Sequence, residues 1–283
     1  NRPDDLRTGR SLGRVAQIVP MKFSVAVGLG SSTAISDFML RSILSVPSPL
    51  LRISMRNVIL LVLSCWLAIS STGLAQTPPS PSELKAYTGF HAAAARGDVD
   101  AIERLVRAGQ DINDRDSQGR TPVMVAAHFK NLDAAAALIK GGANLNLFDN
   151  QAYDVLTISG VLDDVPMVKL AIANGANPGL VTSPYRGTAL IASAHLGHDR
   201  VVAELIKAGA PLDHVNNLHW TALIEAIVLG VGGPRHVACV SLLVAAGANV
   251  NLADGNGTSP LSLAQQRGYS EMVEILKNSG AKP

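Results

Sequence analysis

Seven histidines and two cysteines are the residues of this 283-residue chain whose types could hold a metal or attack a substrate. His195 and His198 stand three apart, a spacing at which two imidazoles can touch one ion. The residues around them supply no acid or cysteine placed to complete a ligand set, and Gly197 marks a turn there. Asp163-Asp164 could pair as general acid and base, but two carboxylates ahead of an apolar run read better as a helix start. Cys239 lies at an apolar helical position, where a thiol acts as a small hydrophobe; a catalytic thiol wants exposure and a cationic neighbour. Once Cys65 is set aside in its own apolar run, Cys239 has no intrachain partner. No phosphate-cradling glycine loop and no nucleophile motif appears. The expectation is therefore a protein without catalytic residues, bound metal or required cofactor.

The elements that position these residues follow a beat. A glycine that closes a helix recurs at Gly109, Gly142, Gly175, Gly209, Gly247 and Gly280, at intervals of 33, 33, 34, 38 and 33 residues. A period in the low thirties marks stacked repeats. Seven residues before each glycine stand Ile102, Ala135, Val168, Val202, Val240 and Val273. Four before it stand Leu105, Leu138, Ala171, Leu205, Leu243 and Leu276. Offsets of three and four make one apolar helical stripe. Four residues after the beat comes a turn-former: Asn113, Asn146, Gly179, Asp213 or Asn251.

A shorter helix precedes each of these. Its start reads Thr121-Pro122-Val123, Thr188-Ala189-Leu190, Thr221-Ala222-Leu223 and Ser259-Pro260-Leu261, with Thr88 opening the series. Thr or Ser as N-cap and Pro as first helical residue suit a helix start. In unit three Asp154 takes the capping position. These motifs, with Gly97, Gly197 and Gly268 at one shared phase, resemble the ankyrin repeat family over about residues 82–283. The resemblance implies an all-α solenoid of six helix-turn-helix units with β-turn connections: 82–115, 116–148, 149–182, 183–215, 216–253 and 254–283. It also implies that His91 and His198 are structural. Unit five carries about five extra residues near Leu229 to His236, expected as an exposed connection between its helices.

The front of the chain differs in composition. Residues 1–75 hold eight Lys/Arg and three acids, leaving sixteen basic and nineteen acidic residues in the remainder. A mildly acidic repeat region without a basic stripe argues against nucleic acid. Residues 1–54 show no sustained periodicity and read as an unstructured upstream extension. Met55-Arg56-Asn57, the apolar run Val58 to Ile69 and small residues up to Ala75 have the three parts of a signal peptide, with cleavage expected before Gln76. The alternative is a membrane anchor over residues 58–75, which would tether the repeats to the membrane. Either way the repeats are exported; the resemblance to bacterial ankyrin proteins with signal peptides implies the periplasm, or less directly a secreted effector. Residues 76–81 are expected to form a stiff Pro/Ser spacer.

What remains is surface. Ankyrin proteins usually hold a protein partner at the turn before the first helix and at that helix's exposed end, on the concave side. On this sequence the resemblance assigns those places to Arg120, His128, Phe129, Tyr153, Tyr185, His195, Leu218, Trp220 and Arg267. Aromatic and Arg side chains are the usual anchors of interfaces. The expected molecule is a monomer that binds another protein.

Overall fold

The computed structural model describes residues 76–283. The predicted extension, residues 1–54, and the predicted export segment, residues 55–75, lie outside the described residues. Thirteen helices and no strand are present among them. A short α1 (Pro81–Ala86) comes first. Six pairs follow: α2 (Gly89–Arg96) with α3 (Val99–Arg107), α4 (Pro122–His128) with α5 (Leu132–Lys140), and α6 (Val155–Val161) with α7 (Val165–Ala173). The last three are α8 (Ala189–His195) with α9 (Asp199–Lys207), α10 (Ala222–Val228) with α11 (Pro234–Ala245), and α12 (Pro260–Arg267) with α13 (Ser270–Asn278). Each first helix packs on the first helices of its neighbours, and each second helix on the second. The units thus pile up in chain order around one continuous apolar core.

The helix starts follow their capping chemistry. Thr188 and Thr221 accept hydrogen bonds from the third backbone amides of α8 and α10, and Ser259 does so for α12. Asp154 performs the same task in unit three, accepting from Thr157 N–H at 2.8 Å. The second of the two adjacent acids, Asp164, caps α7 by accepting from Met167 N–H. Asp164 thus begins a helix, as its place before an apolar run predicts, while Asp163 instead accepts from Arg235 Nη2 at 2.8 Å.

The beat closes each unit for a conformational reason. All six glycines have φ between 68° and 100°, the left-handed region in which a Cβ is costly. The next residue's N–H then turns back onto the helix: Gln110 to Leu105 O, Ala143 to Leu138 O, Ala176 to Ala171 O, and likewise onward to Ala281 and Leu276 O. This six-to-one bond is the Schellman closure.

The turn-formers after the beat do more than turn. Asn113 Oδ1 accepts from Asn144 N–H, Asn146 from Asn177, Asp213 from Asn249 and Asn251 from Lys282, each at 2.8 Å. A ladder of side-chain acceptors therefore ties each unit to the next. The one missing rung is matched on both sides. Pro211 has no N–H to give, and the residue facing it from unit three is Gly179, which has no side-chain acceptor.

A second set of ties joins each interhelix bend to the unit before it. Asn131 Nδ2 donates to the carbonyls of Ala94 and Ala95. His198 Nδ1 bonds Gly160 O at 2.8 Å, His236 Nε2 bonds His195 O at 2.9 Å, and Tyr269 O–H donates to Gly230 O at 2.9 Å. His91 Nε2 meets Arg120 O at 2.9 Å. His91 and His198 thus hold structural positions. Gly197 has φ 70°, and a Cβ there would come within 2.8 Å of the His236 ring. Gly197→Ala should therefore destabilise by roughly 1–2 kcal/mol from the left-handed backbone alone, read as a lowered urea midpoint.

Two expectations need correction. Residues 82–86 are not part of the first repeat pair; they belong to the separate helix α1. Ser80 caps it through a reciprocal box, accepting from Glu83 N–H while Glu83 Oε2 accepts from Ser80 N–H at 2.8 Å. The insertion in unit five is only partly a connection. Pro234 starts α11 early, so α11 runs twelve residues where the other second helices run nine. Proline in a first turn costs no hydrogen bond, which lets the extra residues join the helix.

Candidate partner-binding surface

The turn tips are built by one device in four of the units. Asp116, Asp149, Asn216 and Asp254 each use Oδ1 to accept the backbone N–H groups two and four residues on, at 2.8–3.0 Å. Such side-chain closure fixes the turn and presents the residues between. Unit four uses another closure, in which Thr182 and Gly187 pair as an isolated bridge.

The predicted contact residues divide on this frame. Tyr185 and Leu218, at equivalent places in their tips, are 47% and 44% exposed. Phe129, His195 and Arg267 are exposed as well, together with Leu196 and Leu229 beside them in the repeat pattern. Trp220 is half-buried. Units four and five therefore carry an apolar group made of Tyr185, Leu196, Leu218, Trp220 and Leu229.

Arg120 and Tyr153 are not surface anchors, and both assignments are corrected. Their exposures are 1% and 6%. They are covered by the chain's own residues 76–83, so the predicted spacer is not free. Gln76 and Pro79 are buried. Thr77 N–H donates to Gln151 Oε1, and Thr77 O accepts from Arg120 Nη1 at 3.0 Å. The Arg120 fork also donates to Asp116 Oδ2 at 2.7 Å and to Glu83 Oε1 at 2.5 Å. Tyr87 O–H donates to the same Asp116 oxygen. Burial acts to raise the Asp116 pKa, but the Tyr87 and Arg120 hydrogen bonds outweigh it and hold the carboxyl below its ordinary range.

The histidines show how burial sets charge. His128 is half-buried with Nε2 unpartnered, and desolvation pushes its pKa down to about 4. His195 Nδ1 lies 3.4 Å from Glu225 Oε2. Asn216 Nδ2 donates to Glu225 Oε1 at 2.7 Å, while Oε2 has no hydrogen-bond partner. Burial raises the Glu225 pKa to about 7, against the opposing Asn216 bond. Its folded form binds a proton more tightly than its unfolded form. The resulting stabilisation is complete below about pH 4.5 and is lost as pH rises through about 7. Glu225→Gln should therefore gain roughly 1–3 kcal/mol on wild type between pH 5 and pH 8. Urea unfolding of both proteins at each pH reads this, and the difference cancels the opposite trend from His128.

No group of three or more His, Cys, Asp or Glu residues with metal-binding geometry exists among the described residues. His195 and His198 serve different carbonyl and carboxyl neighbours. Burial pushes the Cys239 thiol up to about 12, so it stays protonated and inert. No helix among the described residues is long and apolar enough to cross a membrane.

Comparison with known proteins agrees with this architecture. The profile of ankyrin repeats (three copies) matches residues 73–149 and 156–254. The ankyrin repeat protein YahD of Escherichia coli (strain K12) is 34% identical over 190 residues, covering 67% of this chain and 94% of its own length. The crystal structure of an ankyrin repeat domain from Acinetobacter baumannii AYE is 41% identical with a TM-score of 0.66, covering 68% of this chain and 98% of that one. That of the ankyrin repeat protein EF0377 is 28% identical with a TM-score of 0.64, covering 69% and 100%. With its glycine closures, turn tips and paired helices in register, the chain belongs to the ankyrin repeat family.

Proposed function

We propose that this protein is a non-catalytic binding module, exported from the cytoplasm, that holds another protein on the turn tips and first helices of units four and five. Ankyrin repeats are in general protein–protein interaction modules. The observation that carries the reading is the exposed apolar group Tyr185, Leu196, Leu218 and Leu229 with half-buried Trp220. Exposed apolar side chains gathered in two adjacent units mark an interaction site.

Proteins that co-purify with the full chain should be compared with those held by a Tyr185→Ala/Leu218→Asp double variant, quantified by mass spectrometry. A specific set should fall at least tenfold on the variant. An unchanged set would refute the surface. Export rests on the Met55–Ala75 pattern and predicts Gln76 as the first residue on N-terminal sequencing of the mature protein. A mature chain that retains residues 58–75 would favour the tethered form.

A further inference from the structure

Residues 76–80, which form no helix, are already seated on the recognition rows. Gln76 and Thr77 lie over unit three, at Tyr153 and Gln151. Thr77 then meets Arg120, and Glu83 meets Arg120 and Ser117, all in unit two. The segment therefore runs from higher to lower units, against the order of the repeats. It uses a backbone N–H on a turn-tip side chain, a backbone carbonyl on a residue before a first helix, and a buried Pro79.

The same rows continue into units four and five. The turn-tip place held by Gln151 is held by Tyr185 in unit four and Leu218 in unit five. The place of Arg120 and Tyr153 is held by Gly187, which is buried and carries no side chain to reach outward, and then by Trp220. An extended chain advances about 3.3 Å per residue and neighbouring helices stand about 8–10 Å apart, so about three residues cross one unit. One feature of units four and five has no counterpart elsewhere. On the first helices, Val125, Ile158, Ala192 and Leu263 stand where unit five has Glu225. Its side chain is 5% exposed, Oε2 is unpartnered, and the half-exposed His195 ring lies over it.

We propose that units four and five take an extended segment of a partner polypeptide, running in the same direction as residues 76–80. It lays apolar side chains on Tyr185, Leu218, Trp220 and Leu229, and donates a hydrogen bond to Glu225 Oε2 once the His195 ring swings aside. The assignment rests on the binding reading above and adds the form and polarity of what is bound. A bound donor satisfies a buried acceptor that is otherwise left unmade, which is where a hydrogen bond discriminates most. The apolar contacts supply the area.

The test uses a phage-displayed library of random dodecapeptides, selected on the purified full-length chain. Binding of the enriched peptides is then measured on variants. Leu218→Asp should weaken them at least tenfold. Glu225→Gln, which puts an amide N–H where Oε2 was, should weaken them about tenfold. Leu132→Asp, on α5, should leave them unchanged. Circular dichroism of each variant checks that the stack remains folded. No enrichment, or peptides indifferent to both Leu218→Asp and Glu225→Gln, would overturn the inference. Enriched sequences that copy residues 66–75 of this chain would make its own upstream segment the occupant, and would overturn it too. A partner protein lost on the Tyr185→Ala/Leu218→Asp variant, with no peptide enriched, would leave the binding surface standing and remove only its extended-segment form.

Discussion

Arg120→Ala should lower the stability of the chain by roughly 3–5 kcal/mol, the usual effect of removing one partner from a buried ion pair. The guanidinium is buried and donates to three acceptors: Asp116, Glu83 and the Thr77 carbonyl. Truncation leaves the nearly buried Asp116 carboxylate with only Tyr87 and backbone amides. Water reaches Glu83 and recovers part of its share, which favours the lower end of the range. The change also frees what Arg120 holds down. Amide exchange in residues 76–86 should rise at least tenfold, while α8 to α13 keep their protection. Arg120→Lys should recover less than half of the loss, because an ammonium cannot reproduce a planar fork directed at separate acceptors.

Leu190→Ala should cost about 2–5 kcal/mol and should also change how the chain unfolds. Leu190 is fully buried in α8, and α8 packs on both α6 and α10. In a stack, stability is the sum of unit terms and neighbour interfaces. A cavity in unit four weakens two interfaces at once and separates the outer units from each other. The urea transition should broaden, with a lower apparent m-value, where a compact single core would keep its slope. Leu132→Ala, at an exposed position on α5, should stay within about 0.5 kcal/mol of wild type.

These two residues mark what was legible in the sequence. Leu190 follows a Thr-Ala helix start at a repeated phase, so its burial could be read directly. The glycine beat was legible for the same reason: a left-handed closure admits few residue types, and the constraint recurs in every unit. Arg120 and Tyr153 were misassigned because repeat phase gives a position on the unit, not what covers it. Their cover is a stretch of chain 37 to 77 residues upstream, outside the periodic region. The turn-formers were read as local signals. Their larger role, the ladder with its Gly179–Pro211 gap, needs neighbouring units side by side. Glu225 could have been found: it is the lone acid at a phase where the other units carry Val125, Ile158, Ala192 and Leu263. The helical half of the unit-five insertion could not, since glycine-rich residues and Pro234 signal a turn and a helix start equally well.

The most direct test of the binding surface is photo-crosslinking in living cells. The full-length chain would carry benzoylphenylalanine at Leu218, at Tyr185, or at Lys207 on the second helix of unit four. A discrete adduct with another protein from Leu218 and Tyr185, and none from Lys207, is the expected result. Adducts of equal yield from Lys207, or none from either tip residue, would contradict it.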